Sequence, residues 1–276
     1  MKKFWLLFAV LFLAGCESFF FHPSKQLLYN PEICACQPEN ILIETDEGET
    51  LHGWLFRTSV VEPKGTVVFM HGNSRNMSTE STGMLWLLEA GYNLFTFDYR
   101  GYGISSGEPS VEGILKDAAE AFDGFMQTEN IDKSNIILWG QSLGGAAASY
   151  TAANSPHGYK IKILLLDSTF TSWRDIARDQ ASKMFFTWPF QYPISWFYMD
   201  KMSSKQYVTV TKAENILIIH SNADKLIDVK HGKKLYDLTK VNKEFFEYSY
   251  AEHARIVLNP LNRPKILDYF DSVLNK

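Results

Sequence analysis

The stretch IILWGQSLGGAAASY, residues 136–150, decides how the rest of the chain is read. An apolar run ends at Trp139, and Gly140, Gln141, Ser142, Leu143 and Gly144 then spell G-x-S-x-G, followed by Gly145 and three alanines. A turn this tight, where a strand passes into a helix, needs glycine because a side chain would clash there. The pattern thus predicts a single serine at the end of a buried strand, and small residues behind it that let a helix pack close to a sheet. Five residues are a short signal. Their meaning depends on a strand before, a helix after, and chemical partners elsewhere in the chain.

Outward from that turn, strand and helix alternate. GTVVFMHG (residues 65–72), YNLFTFD (92–98), NIILWG (135–140), IKILLLDS (161–168), NILIIHS (215–221) and KEFFEYSY (243–250) are β-branched or aromatic runs of the kind buried on both faces. Between them, STESTGMLWLLEAG (78–91), SVEGILKDAAEAFDGFMQT (110–128), SLGGAAASYTAA (142–153), KHGKKLYDLTKV (230–241) and LNRPKILDYFDSVL (261–274) have helical content. ENILIETDEGETLHGWLFRTS (39–59) reads as two strands joined by a turn at residues 46–48. The order predicts an α/β fold with a mostly parallel central sheet covered on both faces. Between Asp167 and Asn215 no strand is legible, and a structureless loop of that length is improbable in a compact domain. A helical cap is expected there, at about residues 168–215. Its segment MFFTWPFQYPISWFYM (184–199) would line an acyl pocket, touch a membrane interface, or simply pack the cap onto the core.

The 276 residues are 46% hydrophobic, ample for a buried core, and the net charge of −4 gives no basic field for nucleic acid. The amino terminus reads as a targeting segment. Met1, Lys2 and Lys3 precede the apolar run FWLLFAVLFLA (residues 4–14), which is too short to span a bilayer as a helix but suits a signal peptide over residues 1–15. The following LAGC resembles the lipobox of bacterial lipoproteins. That resemblance implies cleavage before Cys16, lipidation there with palmitate-type acyl chains, and a membrane-held tether over residues 16–39. The competing reading is an ordinary signal peptide or an uncleaved anchor. With Glu17 rather than aspartate after the cysteine, the resemblance favours the outer membrane of a bacterial envelope. Cys34 and Cys36, one residue apart, are poorly placed for an unstrained disulfide and too few for a zinc site.

Gly140 to Gly144, set between a strand and a helix, resembles the nucleophile elbow of the α/β-hydrolase superfamily. The resemblance covers nearly everything after residue 40, and it implies a domain over residues 40–276 with a Ser, Asp or Glu, His order of site residues. Ser142 is the candidate nucleophile, which needs a neighbouring base to take its proton. His253 in YSYAEHARI follows the last strand, where the family carries its histidine; His220 and His231 compete. Asp224 in HSNADKLIDV matches the family's acid loop, with Ser221 in place of the usual glycine, while Asp167 and Asp228 are rivals. FMHGNSRN (69–76) resembles the family's H-G-x loop. It makes the backbone N–H groups of Asn73 and Leu143 the expected oxyanion donors, with His71 a brace. DYRGYGISSG (98–107) resembles another recurrent stretch that shapes a loop. No metal cluster or dinucleotide fingerprint is legible, so no cofactor is expected.

Together these features predict a membrane-tethered serine hydrolase that cleaves carboxylic ester or thioester bonds of a small acyl substrate through an acyl-enzyme. A serine peptidase of the same fold and a non-catalytic binding or scaffold lipoprotein are the alternatives. A serine at the elbow speaks against haloalkane- and epoxide-type hydrolases, which use aspartate there. The oligomeric state is not legible.

Overall fold

The computed structural model describes residues 21–28, 37–183, 185–196, 200 and 202–275. Residues 1–20, with the expected signal peptide and Cys16, and residues 29–36, with Cys34 and Cys36, lie outside them.

Eight strands form one sheet: β2 (Glu39–Glu44), β3 (Thr50–Phe56), β4 (Gly65–Met70), β6 (Tyr92–Asp98), β7 (Ile136–Gln141), β8 (Ile161–Asp167), β9 (Asn215–Ser221) and β10 (Asn242–Tyr248). Their order is β10-β9-β8-β7-β4-β6-β3-β2. Only β3 runs against the others, pairing antiparallel with β2 and β6. The expected α/β fold with a mostly parallel sheet is the fold observed. Residues of β4, β6 and β7 are all buried, as strands covered on both faces must be. Two hydrophobic clusters fill the two faces, one holding Val68, Phe95, Leu138 and Leu164, the other Val67, Phe69, Trp139 and Leu165. Neighbouring strand residues alternate between them, as a pleated sheet requires.

The covering helices are α3 (Val111–Gln127), α4 (Leu143–Asn154), α8 (Lys230–Leu238) and α9 (Arg263–Leu274). Ser110 caps α3 by accepting the Gly113 N–H at 3.0 Å. The helix expected over residues 78–91 is broken into α1 (Met77–Glu80), a 3-10 turn (Ser81–Met84) and α2 (Trp86–Glu89). Serine and threonine there compete for backbone groups that a continuous helix would use; Thr82 Oγ1, for example, donates to Thr79 O at 2.7 Å.

Between β8 and β9 lie α5 (Trp173–Lys183), a 3-10 turn (Trp188–Phe190), α6 (Gln191–Trp196) and α7 (Ser204–Tyr207). The base of this segment is tied to α8 through His231. Its Nε2 lies 3.0 Å from Asp179 Oδ2, and its Nδ1 accepts the Thr171 N–H at 3.2 Å.

One part of the expected tether belongs to the body. Phe21 is 4% exposed and joins the larger core cluster. Behind it, β1 (His22–Pro23) pairs in parallel with β5 (Ser74–Arg75), in the loop after β4. Ser24 O accepts from Gly103 N at 2.9 Å and from Asn76 Nδ2 at 2.9 Å, and Gln26 O accepts from the same amide at 2.8 Å. Residues 21–28 are therefore a strap across the sheet's carboxyl edge. Within the span expected as a tether, residues 21–28 pack on the body: Phe21 is buried in the core, and the buried amide of Asn76 donates to Ser24 O and Gln26 O.

Candidate active site

Ser142 sits where β7 hands over to α4, with φ 54° and ψ −113°. Few non-glycine residues take that conformation, and it persists only where the surroundings enforce it. Here Ser142 N donates to Asp167 O at 2.8 Å, and Ser142 O accepts from Thr169 Oγ1 at 2.7 Å. The glycines serve close approach. A Cβ on Gly144 would lie 1.9 Å from Met70 O, and one on Gly140 would lie 2.2 Å from Gly144 O. Both obstacles are backbone. Gly144→Ala is therefore expected to destabilise the fold by about 3 kcal/mol or more, read as a lowered denaturant midpoint with an unchanged slope.

His253 follows β10 and lies between the other two candidates. Its Nε2 is 2.9 Å from Ser142 Oγ and its Nδ1 is 2.7 Å from Asp224 Oδ2. The carboxylate can only accept, so Nδ1 carries the proton and Nε2 is left to accept from the serine hydroxyl. Asp224 also takes the Leu226 and Ile227 N–H groups on Oδ1, at 2.8 and 2.9 Å. Burial pushes its pKa up. The hydrogen bonds from neighbouring histidines and from the Ile227 amide outweigh that and hold the carboxyl well below the ordinary range. His220 stands 3.6 Å from this carboxylate, but its nearer partner is Ile227 O at 2.9 Å, so it braces the loop.

The rivals have other work. Asp167 is fully buried, accepting from Gln141 Nε2 at 3.0 Å and Ser168 Oγ at 2.8 Å, and burial raises its pKa. Its carboxylate makes no hydrogen bond to His253 among the described contacts. Asp228 accepts the Lys230 N–H at 2.8 Å at the start of α8, and His231, on α8 itself, is engaged by Asp179 and the Thr171 N–H of the β8–β9 segment.

Leu143 begins α4, so its N–H points out of a helix start beside Ser142. The loop after β4 closes the other side: a methyl on Gly72 would lie 3.8 Å from Ser142 Cβ. His71 Nδ1 donates to Gly72 O at 2.7 Å, which fixes the peptide plane carrying the Asn73 N–H. Asn73 O is held in turn by His22 N at 2.9 Å and Tyr102 Oη–H at 2.8 Å. In the DYRGYG stretch, Arg100 and Asp117 form a buried bidentate pair and Asp98 Oδ1 accepts the Met77 N–H, so these charges shape loops.

Three contributors carry no sequence signal of their own: the strap, Tyr102, and Gln141. Gln141 Nε2 donates to both Asp167 Oδ2 and Ala254 O (3.1 Å), so it ties the elbow to the loop that bears His253. Ser142 and His253 open into a cavity of about 430 Å³. Its apolar wall includes Phe69, Met84 and Val257, and its polar rim includes Asn73, Arg75 and Arg255. None of the described residues between Ser168 and Glu214 lines it. Among the described residues no His, Cys, Asp and Glu group is arranged to hold a metal ion.

Fold and site together define an α/β-hydrolase serine hydrolase. The chain belongs to the serine aminopeptidase, S33 family, whose model matches residues 61–214. It is 30% identical to the uncharacterized protein YfhR of Escherichia coli strain K12 over 266 residues, which cover 94% of this chain and 88% of that protein. It is also 30% identical to the lysophosphatidylserine lipase ABHD12 of Danio rerio, over 64% of this chain and 48% of the lipase. Among solved structures, the esterase Pf2001 of Pyrococcus furiosus superposes with a TM-score of 0.74 at 19% identity, covering 92% of this chain and 97% of the esterase. The acylaminoacyl peptidase of Pyrococcus horikoshii gives 0.65 at 17% identity, over 89% of this chain and 43% of the peptidase.

Proposed function

We propose that the protein is a membrane-tethered serine hydrolase that cleaves carboxylic ester bonds of acyl substrates through an acyl-enzyme. The observation that carries this reading is His253 within hydrogen-bond reach of Ser142 on one side and Asp224 on the other. In this mechanism Ser142 Oγ attacks the acyl carbonyl while its proton passes to His253 Nε2. Asp224 keeps His253 in the accepting tautomer and stabilises the imidazolium without taking the proton. The Asn73 and Leu143 N–H groups receive the charge that develops on the carbonyl oxygen. His253 then protonates the leaving alcohol, and water attacks the acyl-enzyme with His253 again as base.

Ester over peptide cleavage is supported by the cavity rim. An aminopeptidase needs carboxylates to receive the substrate's ammonium group; among the described residues Glu80 is the one acidic side chain lining the cavity, beside Arg75 and Arg255. The tether rests on the amino-terminal sequence, where Cys16 follows a short apolar run.

A fluorophosphonate probe applied to the chain from Glu17 onward, with a p-nitrophenyl ester series of rising chain length, tests the reading. Labelling and turnover are expected in the unaltered protein, and Ser142→Ala should abolish both. A folded sample that neither labels nor turns over any ester would leave a binding or scaffold role in its place.

A further inference from the structure

We infer that the carboxyl edge of the sheet is a membrane-docking face, seated on a phospholipid bilayer through the aromatic segment at residues 185–196. The segment MFFTWPFQYPISWFYM, residues 184–199, holds no charged side chain. Its described aromatics do not pack inward: Phe185 is 86% exposed, Phe186 84%, Trp188 60% and Trp196 70%. A contiguous exposed apolar surface of this kind marks an interaction site. Tryptophan and tyrosine, with an apolar body and a polar tip, are the residues that settle at the level of lipid headgroups.

Topology says which way this surface faces. β4, β6, β7, β8, β9 and β10 run parallel, so the connections that leave them emerge at one edge of the sheet. The aromatic segment follows β8. Exposed apolar side chains recur on the other connections there: Ile104 after β6, Leu226 after β9, Leu258 and Leu261 after β10. Leu258 also lines the cavity that holds Ser142.

The choice of a bilayer over a protein partner comes from the strap. β1 is fixed to the loop after β4, also at this edge, and Phe21 anchors it in the core. Phe21 lies only five residues beyond Cys16. An extended chain covers at most about 3.6 Å per residue, so at most about 18 Å separates the anchoring point from the strap. This step rests on the membrane-tether reading above. A body held that close, by a strap at that edge, brings the aromatic segment and the site's mouth to the lipid surface. Acyl substrates would then reach Ser142 from the bilayer.

The test uses the lipidated chain beginning at Cys16, reconstituted in vesicles of phosphatidylethanolamine and phosphatidylglycerol with brominated acyl chains. Tryptophan quenching is compared between the unaltered protein and Trp188→Phe/Trp196→Phe. A quenched component that falls at least twofold in the double variant is expected. In parallel, Phe185→Ser/Phe186→Ser should lower turnover of a long-chain ester embedded in the vesicles about tenfold, with a short soluble ester hydrolysed at the unaltered rate. Equal quenching in both proteins overturns the proposal, as do two ester rates that fall together. Self-association in sedimentation velocity that Phe185→Ser/Phe186→Ser abolishes would also overturn it, assigning the surface to a second copy of the chain. Quenching is read without substrate, so its loss is distinct from a failure of the hydrolase reading, in which neither ester is turned over.

Discussion

Asp224→Asn is expected to lower kcat for an ester substrate about 10³- to 10⁴-fold with little change in KM, the scale on which serine triads lose activity when the acid is made neutral. The reason is the tautomer. With a carboxylate at 2.7 Å, His253 Nδ1 must donate and Nε2 is free to accept from Ser142. An asparagine amide can donate to Nδ1, which moves the ring proton to Nε2 and leaves Ser142 without a base. Asp167→Asn is expected to cost less than about tenfold, because among the described contacts Asp167 makes no hydrogen bond to His253 and is linked to its loop through Gln141 and Ala254 O. A loss in Asp167→Asn as large as in Asp224→Asn would transfer the acid role.

The same two carboxylates pull stability in opposite directions with pH. Asp224 has its folded-state pKa lowered, so its contribution is present above the unfolded value of about 3.9 and disappears as pH falls towards the folded one. Asp167 has its folded-state pKa raised, so its ionised form costs stability as pH rises through and above about 3.9. Thermal melts across the acid range should show the gap between the unaltered protein and Asp224→Asn closing as pH falls. A gap that is constant or widens would contradict the assignment of Asp224 as the stabilised carboxylate.

The second large effect is expected from the strap. A chain starting at residue 37 should retain less than about one-hundredth of the activity of a chain starting at Glu17, and should melt at lower temperature. Burial of Phe21 contributes about 2 to 3 kcal/mol. The amide of Asn76, itself fully buried, loses both its acceptors, at about 1 to 3 kcal/mol for an unsatisfied buried group. The site is affected directly as well, since Asn73 O loses the His22 N–H that holds it. Tyr102→Phe separates that positional effect from general stability, because it removes only the other donor to the same carbonyl. It should lower kcat about fivefold, about 1 kcal/mol in barrier, at unchanged KM. Full activity in the chain from residue 37 would show that the strap has no part in the site.

How far the molecule was legible in its sequence follows from the range of the forces involved. Buried parallel strands such as GTVVFM and IKILLLD declare themselves because a strand covered on both faces is apolar throughout. The elbow declares itself because backbone contacts as close as those at Gly140 and Gly144 admit no other residue. The helix expected over residues 78–91 failed because composition does not say whether Ser and Thr side chains will serve the helix or break it.

The sequence by itself determined the α/β class, the elbow serine and the short set of candidate partners, since periodicity and glycine placement are local properties. Only the tertiary structure showed which of them lie together. Asp167 ends a buried strand and Asp224 lies in the loop just after one, and what separates them is that Asp224 lies 2.7 Å from an imidazole 29 residues away while Asp167 is bound to Gln141. Tertiary structure likewise turned part of a supposed tether into a strap, because whether Phe21 is a linker residue or a core residue depends on a cavity built by segments far along the chain. It turned the aromatic segment outward for the same reason. Hydrophobicity states what a residue gains by burial; only the folded chain states whether there is a place to bury it.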